Sequence, residues 1–375
     1  MAEALLSRTW KPGKFTRFAV QEPKLREIFA PAFADRVVEA WLVSLVEEPL
    51  SRLFIDDSYA NRKGKGTHAA IAKVQKLMRK PGKVWCLQLD VRGFFHSIHR
   101  PTLLSGWLEF LHGIQCEPDK RELAIYVSTT LLERSPADRH HTVQNSRSLL
   151  VEVPSHKSLL GSPPDTGLPI GSAASQHFAN FYLNGLDHFI KHKLRAKGYV
   201  RYMDDLLLLG PNTATLLGWR DAIAAYCRDR LRLSLHSGKE QLGRSGQGIS
   251  YLGYRVFPHF LHMQKRNTNA LKARLDFFKH LFWPGSYPLC QKPVRGVWQS
   301  MVASGELAPP LQPSWTLLKR MEATINCYYG IMGHAQSYRL RKILYHKHFG
   351  PLRSFFVPAD AEYSAMQAKK VFLYQ

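Results

Sequence analysis

Acidic residues are scarce in this chain: 29 Asp and Glu stand against 52 Lys and Arg, leaving a formal charge of +23. That shortage excludes an acidic, solvating protein and points to a polyanionic partner, for which nucleic acid is the default. Cysteine is also sparse. The five positions, 86, 116, 227, 290 and 327, lie far apart, without metal-type spacing and in odd number, so they are read as reduced thiols in a cytosol-like compartment. The 17 histidines include no His-Glu-x-x-His, and His140-His141 falls in a polar loop, so nothing suggests zinc. No apolar run approaches the ~18 residues of a membrane helix, no amphipathic anchor stands out, and the first ten residues lack the charge-then-apolar order of a secretory signal. No membrane partner is expected. Internal repeats are missing, and low complexity is confined to a Pro/Gly-rich linker from Pro284 to Pro313. What is present is ample: 375 residues, 45% hydrophobic and 11% aromatic, enough for a sizeable core and two or three subdomains.

One stretch organises the rest: Val200-Arg201-Tyr202-Met203-Asp204-Asp205-Leu206-Leu207-Leu208-Leu209. Gly198 lies just upstream and Gly210 just downstream, so two short apolar runs predict a β-hairpin with the Asp pair at its tip. A bare Asp-Asp in a turn is ordinarily solvated turn chemistry. The apolar packing on both sides changes that reading, because desolvated neighbouring carboxylates repel unless a cation neutralises them. Their oxygens suit Mg²⁺, which keeps waters and completes its shell with substrate phosphates. A third carboxylate comes from a short strand, Val84 to Leu89, that ends on Asp90; alone, Asp90 would be a strand-end residue beginning a turn. Together the three would make a two-metal phosphoryl-transfer site.

Elsewhere the patterns are plainer. Residues 1–20 read as basic and extended, with a loop at Trp10 to Lys14, and a helical pattern runs from Glu22 to Leu53. Ser58 to Ala69 is a basic, glycine-rich turn entering a helix through a Thr67 N-cap, a natural anion cradle but not a P-loop. Helices are expected over Pro101–Leu111 and Arg121–Glu133. The loop Gly167-Leu168-Pro169-Ile170-Gly171 lets backbone approach a ligand closely and, with Ser172 as cap, enters a helix from Phe178 to Leu194. A helix from Trp219 to Arg232, a strand Leu231–Leu235, a turn at Gly238-Lys239 and a hairpin over Ile249–Val256 follow. Then come a basic helix (Asn267 to Phe282), the linker, and a helix from Ser314 to Gly333 with Leu317, Met321, Ile325, Tyr328 and Met332 on one buried stripe. A basic segment over Tyr338–Lys347 would suit tracking of phosphates.

Asp90 together with Tyr202-Met203-Asp204-Asp205 resembles the palm of reverse transcriptases. Pro169-Ile170-Gly171 followed by Ser175-Gln176 resembles the diversity-generating retroelement enzymes and related defence-associated, unknown-group prokaryotic enzymes; group II intron and retroviral enzymes have Pro-Gln-Gly there. The resemblance spans roughly residues 16–345. It implies an α+β right-hand polymerase fold with fingers, a palm of antiparallel sheet plus helices, and a helical thumb. Residues 1–80 would form the N-terminal segment and fingers, 81–262 the palm with a fingers insertion, and 263–375 the thumb and a C-terminal extension. Asp90, Asp204 and Asp205 would be catalytic and hold two Mg²⁺, with Mn²⁺ as a substitute. Phe95 would be the aromatic gate against the sugar 2′ position, although one of Phe94 and Phe95 would be plain core packing. Arg62, Lys63 and Lys65 would contact the triphosphate or template, and Ile170 and Gln176 would lie near the nucleotide. Lys239 would approach its phosphates, a simple turn lysine fitting the residues equally. Leu252-Gly253 would be the primer grip. Ile170 in place of Gln removes a polar contact, which implies less faithful copying.

The function so implied is an RNA-directed DNA polymerase of the prokaryotic cytoplasm, copying a dedicated noncoding RNA into DNA in a retroelement or antiphage defence system. Its partners would be that RNA, the RNA–DNA hybrid, dNTPs and an accessory protein or second polymerase subunit. Two other readings stay open: a catalytically idle, polymerase-like RNA-binding scaffold, against which all three carboxylates argue, and an untemplated or protein-primed DNA polymerase. RNA-templated RNA synthesis is disfavoured by Phe95 and by Tyr-Met-Asp-Asp rather than Gly-Asp-Asp. No His-Asn-His endonuclease, RNase H or maturase signature is present.

Overall fold

The computed structural model describes residues 1–20, 24–133, 137, 141–144, 147–287, 298, 301–302, 305 and 307–370. His140, Cys290 and half of the Pro/Gly-rich linker lie outside the described residues. The chain divides into two compact units, Met1–Ser245 and Gly246–Gln375.

The first unit carries α1 (Ala2–Leu6), β1 (Phe15–Val20), β2 (Arg26–Ala30), α2 (Phe33–Leu53), α3 (Thr67–Met78), β3 (Trp85–Asp90), α4 (Phe94–Ser97), α5 (Arg100–Gly113) and α6 (Pro118–Glu133). It continues through β4 (His141–Val143), α7 (Arg147–Val151), α8 (Ala173–Tyr182), α9 (Asn184–His188), β5 (Tyr199–Tyr202), β6 (Asp205–Gly210), α10 (Thr213–Leu231) and β7 (Gln241–Arg244). Its main sheet is antiparallel throughout, in the order β5-β6-β3-β7. Leu206 to Leu209 on β6 are all buried, because a central strand covered on both faces needs an unbroken apolar run rather than alternation. Helices cover the sheet. Trp107 of α5 packs edge-on to Phe178 of α8 and to Phe181, at 4.7 and 5.1 Å, and its indole N–H donates to Ser128 Oγ. A second sheet places β1 between β2, antiparallel, and β4, parallel.

Several local expectations give way to longer-range pairing. The first twenty residues are not simply extended, since α1 precedes β1. The helix expected from Glu22 begins only at Phe33, because Arg26–Ala30 pairs with β1 as β2. There Glu27 is buried and accepts from Arg17, Ser158 and the Leu159 N–H. The single helix expected through Leu194 is broken: α8 ends at Tyr182, α9 follows, and a π turn over Phe189–Lys193 closes the run. Leu231–Leu235 forms no strand. α10 continues to Leu231, Arg232 caps it in the left-handed region (φ 51°), and only Leu235 bridges, to Val91.

The second unit opens with an antiparallel meander of β8 (Ile249–Tyr251), β9 (Tyr254–Val256) and β10 (Leu261–Met263). α11 (Lys265–Phe282), α12 (Trp315–Gly333), α13 (Tyr338–Ile343) and a hairpin of β11 (Phe356–Pro358) and β12 (Met366–Ala368) follow. Its core is Leu271, Leu275 and Phe278 of α11 against Leu318, Met321, Ile325, Tyr329 and Met332 of α12. Tyr329, not Tyr328, completes the buried stripe. The step from Ile325 to residue 329 is four residues and returns closer to the core direction than three, at 3.6 residues per turn. Tyr329→Ala is therefore expected to cost about 3–5 kcal/mol in urea unfolding, and Tyr328→Ala far less; equal losses would contradict this packing.

Candidate active site

The Asp pair is presented by the β5–β6 hairpin. Tyr202 pairs with Asp205, leaving Met203-Asp204 as a two-residue turn. Met203 takes φ 54°, a region that a non-glycine residue enters only under restraint. The restraint is Arg201. Its Nη1 donates to the Met203 carbonyl at 3.0 Å and to Asn180 Oδ1 at 3.0 Å. Its Nε and Nη2 grip the Asp187 carboxylate at 2.8 and 2.7 Å, and both side chains are fully buried. Tyr199 Oη donates to the same carboxylate at 2.7 Å, burial keeping the phenol protonated by raising its pKa well above the ordinary value. The Arg201 backbone is held as well: its N–H donates to Asp57 O, and its carbonyl accepts from Tyr59 N. Thr67 Oγ1 donates to Tyr202 Oη at 3.2 Å.

The register of β3 against β6 sets Asp90 directly opposite Asp205. Asp204 sits in the turn beside them. Burial first, then the negative charges of Asp205 and Asp90, push its carboxyl up to about 6. Such an arrangement calls for positive charge. Part of it is supplied by Lys239, whose Nζ lies 2.6 Å from Asp90 Oδ1. Among the described residues no three His, Cys, Asp or Glu side chains form a ready-made metal cage. The donor set nonetheless fits a hard divalent ion: three neighbouring carboxylates, one of them destabilised by burial and by its neighbours' charge, whose shell phosphate and water would complete.

The other expected residues are placed as follows. Phe94 is buried and Phe95 half-buried, edge-on at 5.7 Å, so Phe94 is the core member of the pair. The Phe95 carbonyl accepts from Leu168 N at 2.8 Å, tying it to the Gly167–Gly171 loop. In that loop Ile170 is half-buried and its carbonyl accepts from Phe29 N. Gly171 has φ +121°, and a Cβ there would lie 2.9 Å from Phe29 O, so only glycine fits. Ser172 caps α8 as expected, accepting from Ser175 N, and donates to the buried Glu39 at 2.8 Å. Gln176 is exposed on α8.

Arg62 is already committed. Its guanidinium donates to the carbonyls of Ile55, Ser58 and Ser51 and lies over the Phe54 ring, clamping the loop after α2. Lys65 donates to Asp56 O and lies over Tyr59, while Lys63 is exposed. Arg62 and Lys63 line a cavity of about 250 Å³ with Glu47, Glu48 and His177. Thr67 is not the N-cap of α3. Gly66 holds that position at φ 106° with no side-chain cap, which removes the capping hydroxyl expected for an anion cradle. Leu252 and Gly253 form the β8–β9 turn of the second unit at φ 46° and 92°, where the Gly253 carbonyl accepts from Asn267.

Sequence reasoning missed the Arg201–Asp187–Asn180 network and the buried Asp57, which pairs with Lys73 and Lys191 at 2.6 Å each. A signal existed for the first: an arginine inside the apolar strand Tyr-Val-Arg-Tyr demands a buried partner.

An antiparallel sheet that carries a carboxylate pair on one hairpin, opposite a third carboxylate on the neighbouring strand, is the arrangement expected of a palm-type polymerase. The chain belongs to the reverse transcriptase (RNA-dependent DNA polymerase) family, whose model matches residues 20–256. It is thus an RNA-directed DNA polymerase, a nucleotidyltransferase with the expected α+β right-hand fold. It is 21% identical over 296 residues to Protein YkfC of Escherichia coli (strain K12), covering 68% of this chain and 70% of that protein. A structure of apo telomerase from Candida tropicalis aligns over 92% of this chain with a TM-score of 0.51 and 11% identity, a likeness of fold. A telomerase from Candida albicans, solved with the TWJ fragment of telomeric RNA, aligns over 90% with a TM-score of 0.47 and 10% identity. This chain spans 61% and 60% of those two telomerase chains. Among the described residues no helix is long and apolar enough to cross a membrane.

Two outcomes follow from this geometry. Arg201→Met strands a buried Asp187 charge and is expected to cost about 3–5 kcal/mol in denaturant unfolding. Adding Asp187→Leu should restore most of the stability but not polymerisation, because the Met203 carbonyl still lacks its donor. The second concerns pH. Asp204 titrates near 6 in the fold against an ordinary 3.8, so ionising it costs folding energy, and stability falls as pH rises through that window. In metal-free buffer Asp204→Asn should gain on the wild type by about 2–3 kcal/mol between roughly pH 4 and pH 7. A pH-independent difference in thermal unfolding would contradict the burial of Asp204.

Proposed function

We propose that this chain copies a dedicated noncoding RNA into DNA by two-metal nucleotidyl transfer, as part of a prokaryotic retroelement or antiphage defence system. The observation that carries the chemistry is the register of β3 and β6, which brings Asp90 opposite Asp205 with the half-buried Asp204 in the adjoining turn. Asp90 and Asp204, assisted by Asp205, would hold two Mg²⁺, which when bound supply activation of the primer 3′-hydroxyl and neutralisation of the departing pyrophosphate.

The protein's own residues set the conditions for that chemistry. The Arg201 fork fixes the turn, so the carboxylates need no rearrangement as the reaction proceeds. Phe95, the half-buried member of the Phe94–Phe95 pair, screens the sugar against a 2′-hydroxyl. Lys63 is an exposed finger cation for triphosphate or template, and Lys239 adds a second. Arg62 and Lys65 are employed chiefly in shaping the loop that carries Lys63. Residues 1–80 act as the fingers segment, 81–262 as palm, and 263–375 as a thumb and extension. Lys265 and Arg266, exposed on α11, suit tracking of hybrid phosphates. Leu252-Gly253 offers a tight backbone turn as primer grip.

The loop Pro169-Ile170-Gly171 followed by Ser175-Gln176 supports the retroelement or defence setting. Its apolar Ile170 supports lower fidelity, and an accessory protein or second subunit fits the same setting. An idle scaffold is the alternative. The test is to purify the protein with its co-purifying RNA, add Mg²⁺ and dNTPs, and sequence the products. DNA complementary to one RNA, with frequent errors, is expected; Asp204→Asn should abolish it while RNA stays bound. RNA retained without product under any primer would establish the scaffold instead, and untemplated or repetitive product would favour protein-primed or untemplated synthesis.

A further inference from the structure

Asp90 already has a cation. Lys239 Nζ stands 2.6 Å from its Oδ1, in a pair whose lysine side chain is 46% exposed and whose carboxylate is 15% exposed. The lysine is anchored at its base and partly exposed to solvent along its side chain. Just before it, His236 N donates to the Asp90 carbonyl at 2.7 Å; just after it, Gln241 pairs with Gln88 of β3. A single turn over Ser237–Lys239 joins those two attachments, so the stem is pinned on both sides to the strand that carries Asp90. An ammonium on a four-carbon stem is a mobile point charge, unlike a guanidinium fork locked by two parallel bonds. Three neighbouring carboxylates need a counter-charge, and a divalent ion on Asp90 would need the oxygen that the ammonium now holds.

We infer that Lys239 is the counter-cation of the metal-free site: it holds Asp90 until a divalent ion takes that oxygen, and is then released toward the triphosphate of the incoming deoxynucleotide. The inference rests on reading Asp90, Asp204 and Asp205 as the metal-holding carboxylates. It makes Lys239 a competitor of the metal alone and an ally of the metal with its nucleotide. The site is thereby kept from closing on a bare ion, and ion and nucleotide binding are coupled through one side chain.

Electron paramagnetic resonance of free Mn²⁺, titrated into the full chain without nucleotide, tests this. Lys239→Met should bind Mn²⁺ about tenfold more tightly than the wild type, because the competing charge is gone. Lys239→Arg, which keeps the charge, should bind no more tightly than the wild type, and Asp204→Asn should lose most of the binding. A lysine that merely braces the turn would give the opposite sign, so affinity equal to or weaker than wild type in Lys239→Met overturns the inference while leaving the carboxylate reading intact. Mn²⁺ binding that persists in Asp204→Asn, or is absent from wild type and Lys239→Met alike, overturns the carboxylate reading and this inference with it.

Discussion

The buried pair of Arg201 and Asp187 is the constraint on which the site depends. Taking both charges out of water is costly, and an apolar pair of equal volume would fold nearly as well. What the ion pair provides is direction. Each nitrogen of the guanidinium has an assigned acceptor: Asp187 takes two, and the third reaches both Asn180 and the Met203 carbonyl. Met203 can therefore occupy a left-handed conformation that its side chain disfavours. With the backbone of the turn fixed, Asp204 stays in a partly desolvated position that it would otherwise leave. Strain and desolvation at the turn are both sustained by one arginine.

The charge distribution has two scales. Over the whole chain the excess of +23 attracts a polyanion from a distance, an effect screened by salt within about 10 Å at 0.1 M. At the sheet end the sign reverses, because burial and the neighbouring charges of Asp205 and Asp90 raise the Asp204 carboxyl. A basic surface that gathers phosphate backbone and an acidic centre that gathers cations are separate requirements of nucleotidyl transfer. The basic residues nearest the centre are correspondingly divided in their duties: Lys73 and Lys191 neutralise Asp57, Arg62 shapes a loop, and Lys239 faces Asp90.

Much of the site was legible because its signals are local. A glycine-bounded apolar run with an Asp pair reads as a hairpin, and a strand ending on Asp90 reads as its neighbour; the register confirms both elements. The Ser172 cap and the Leu252-Gly253 turn were legible for the same reason. What failed depended on partners distant in sequence. Arg26–Ala30 is a strand only because β1 lies beside it, and Leu231–Leu235 alternates like a strand yet has its first residue in α10. Arg62 looked available in a basic turn, but the loop folds its own carbonyls onto the guanidinium. Thr67 looked like a cap until Gly66 took the cap's conformation and Tyr202 took the hydroxyl. In each case composition named the residue correctly and the fold spent it elsewhere.

On the proposed reading, sugar and base selection share one backbone frame. Phe95 and the Ile170 loop are far apart in sequence, yet the Leu168 N–H donates to the Phe95 carbonyl, and Ile170 hangs from β2 through Phe29. Gly171 is pressed against the Phe29 carbonyl, so the loop cannot shift without moving β2. The gate and the loop are therefore parts of one backbone-fixed wall. Side-chain changes at Phe95 or Ile170 act on that wall's surface and leave its position alone. A substitution at Gly171 displaces the wall itself. On the proposed reading, selection against ribose and tolerance of mispairs are then separable by side chain but joined through the backbone. On that reading a change at residue 170 would alter fidelity while leaving the proposed sugar gate at residue 95 in place.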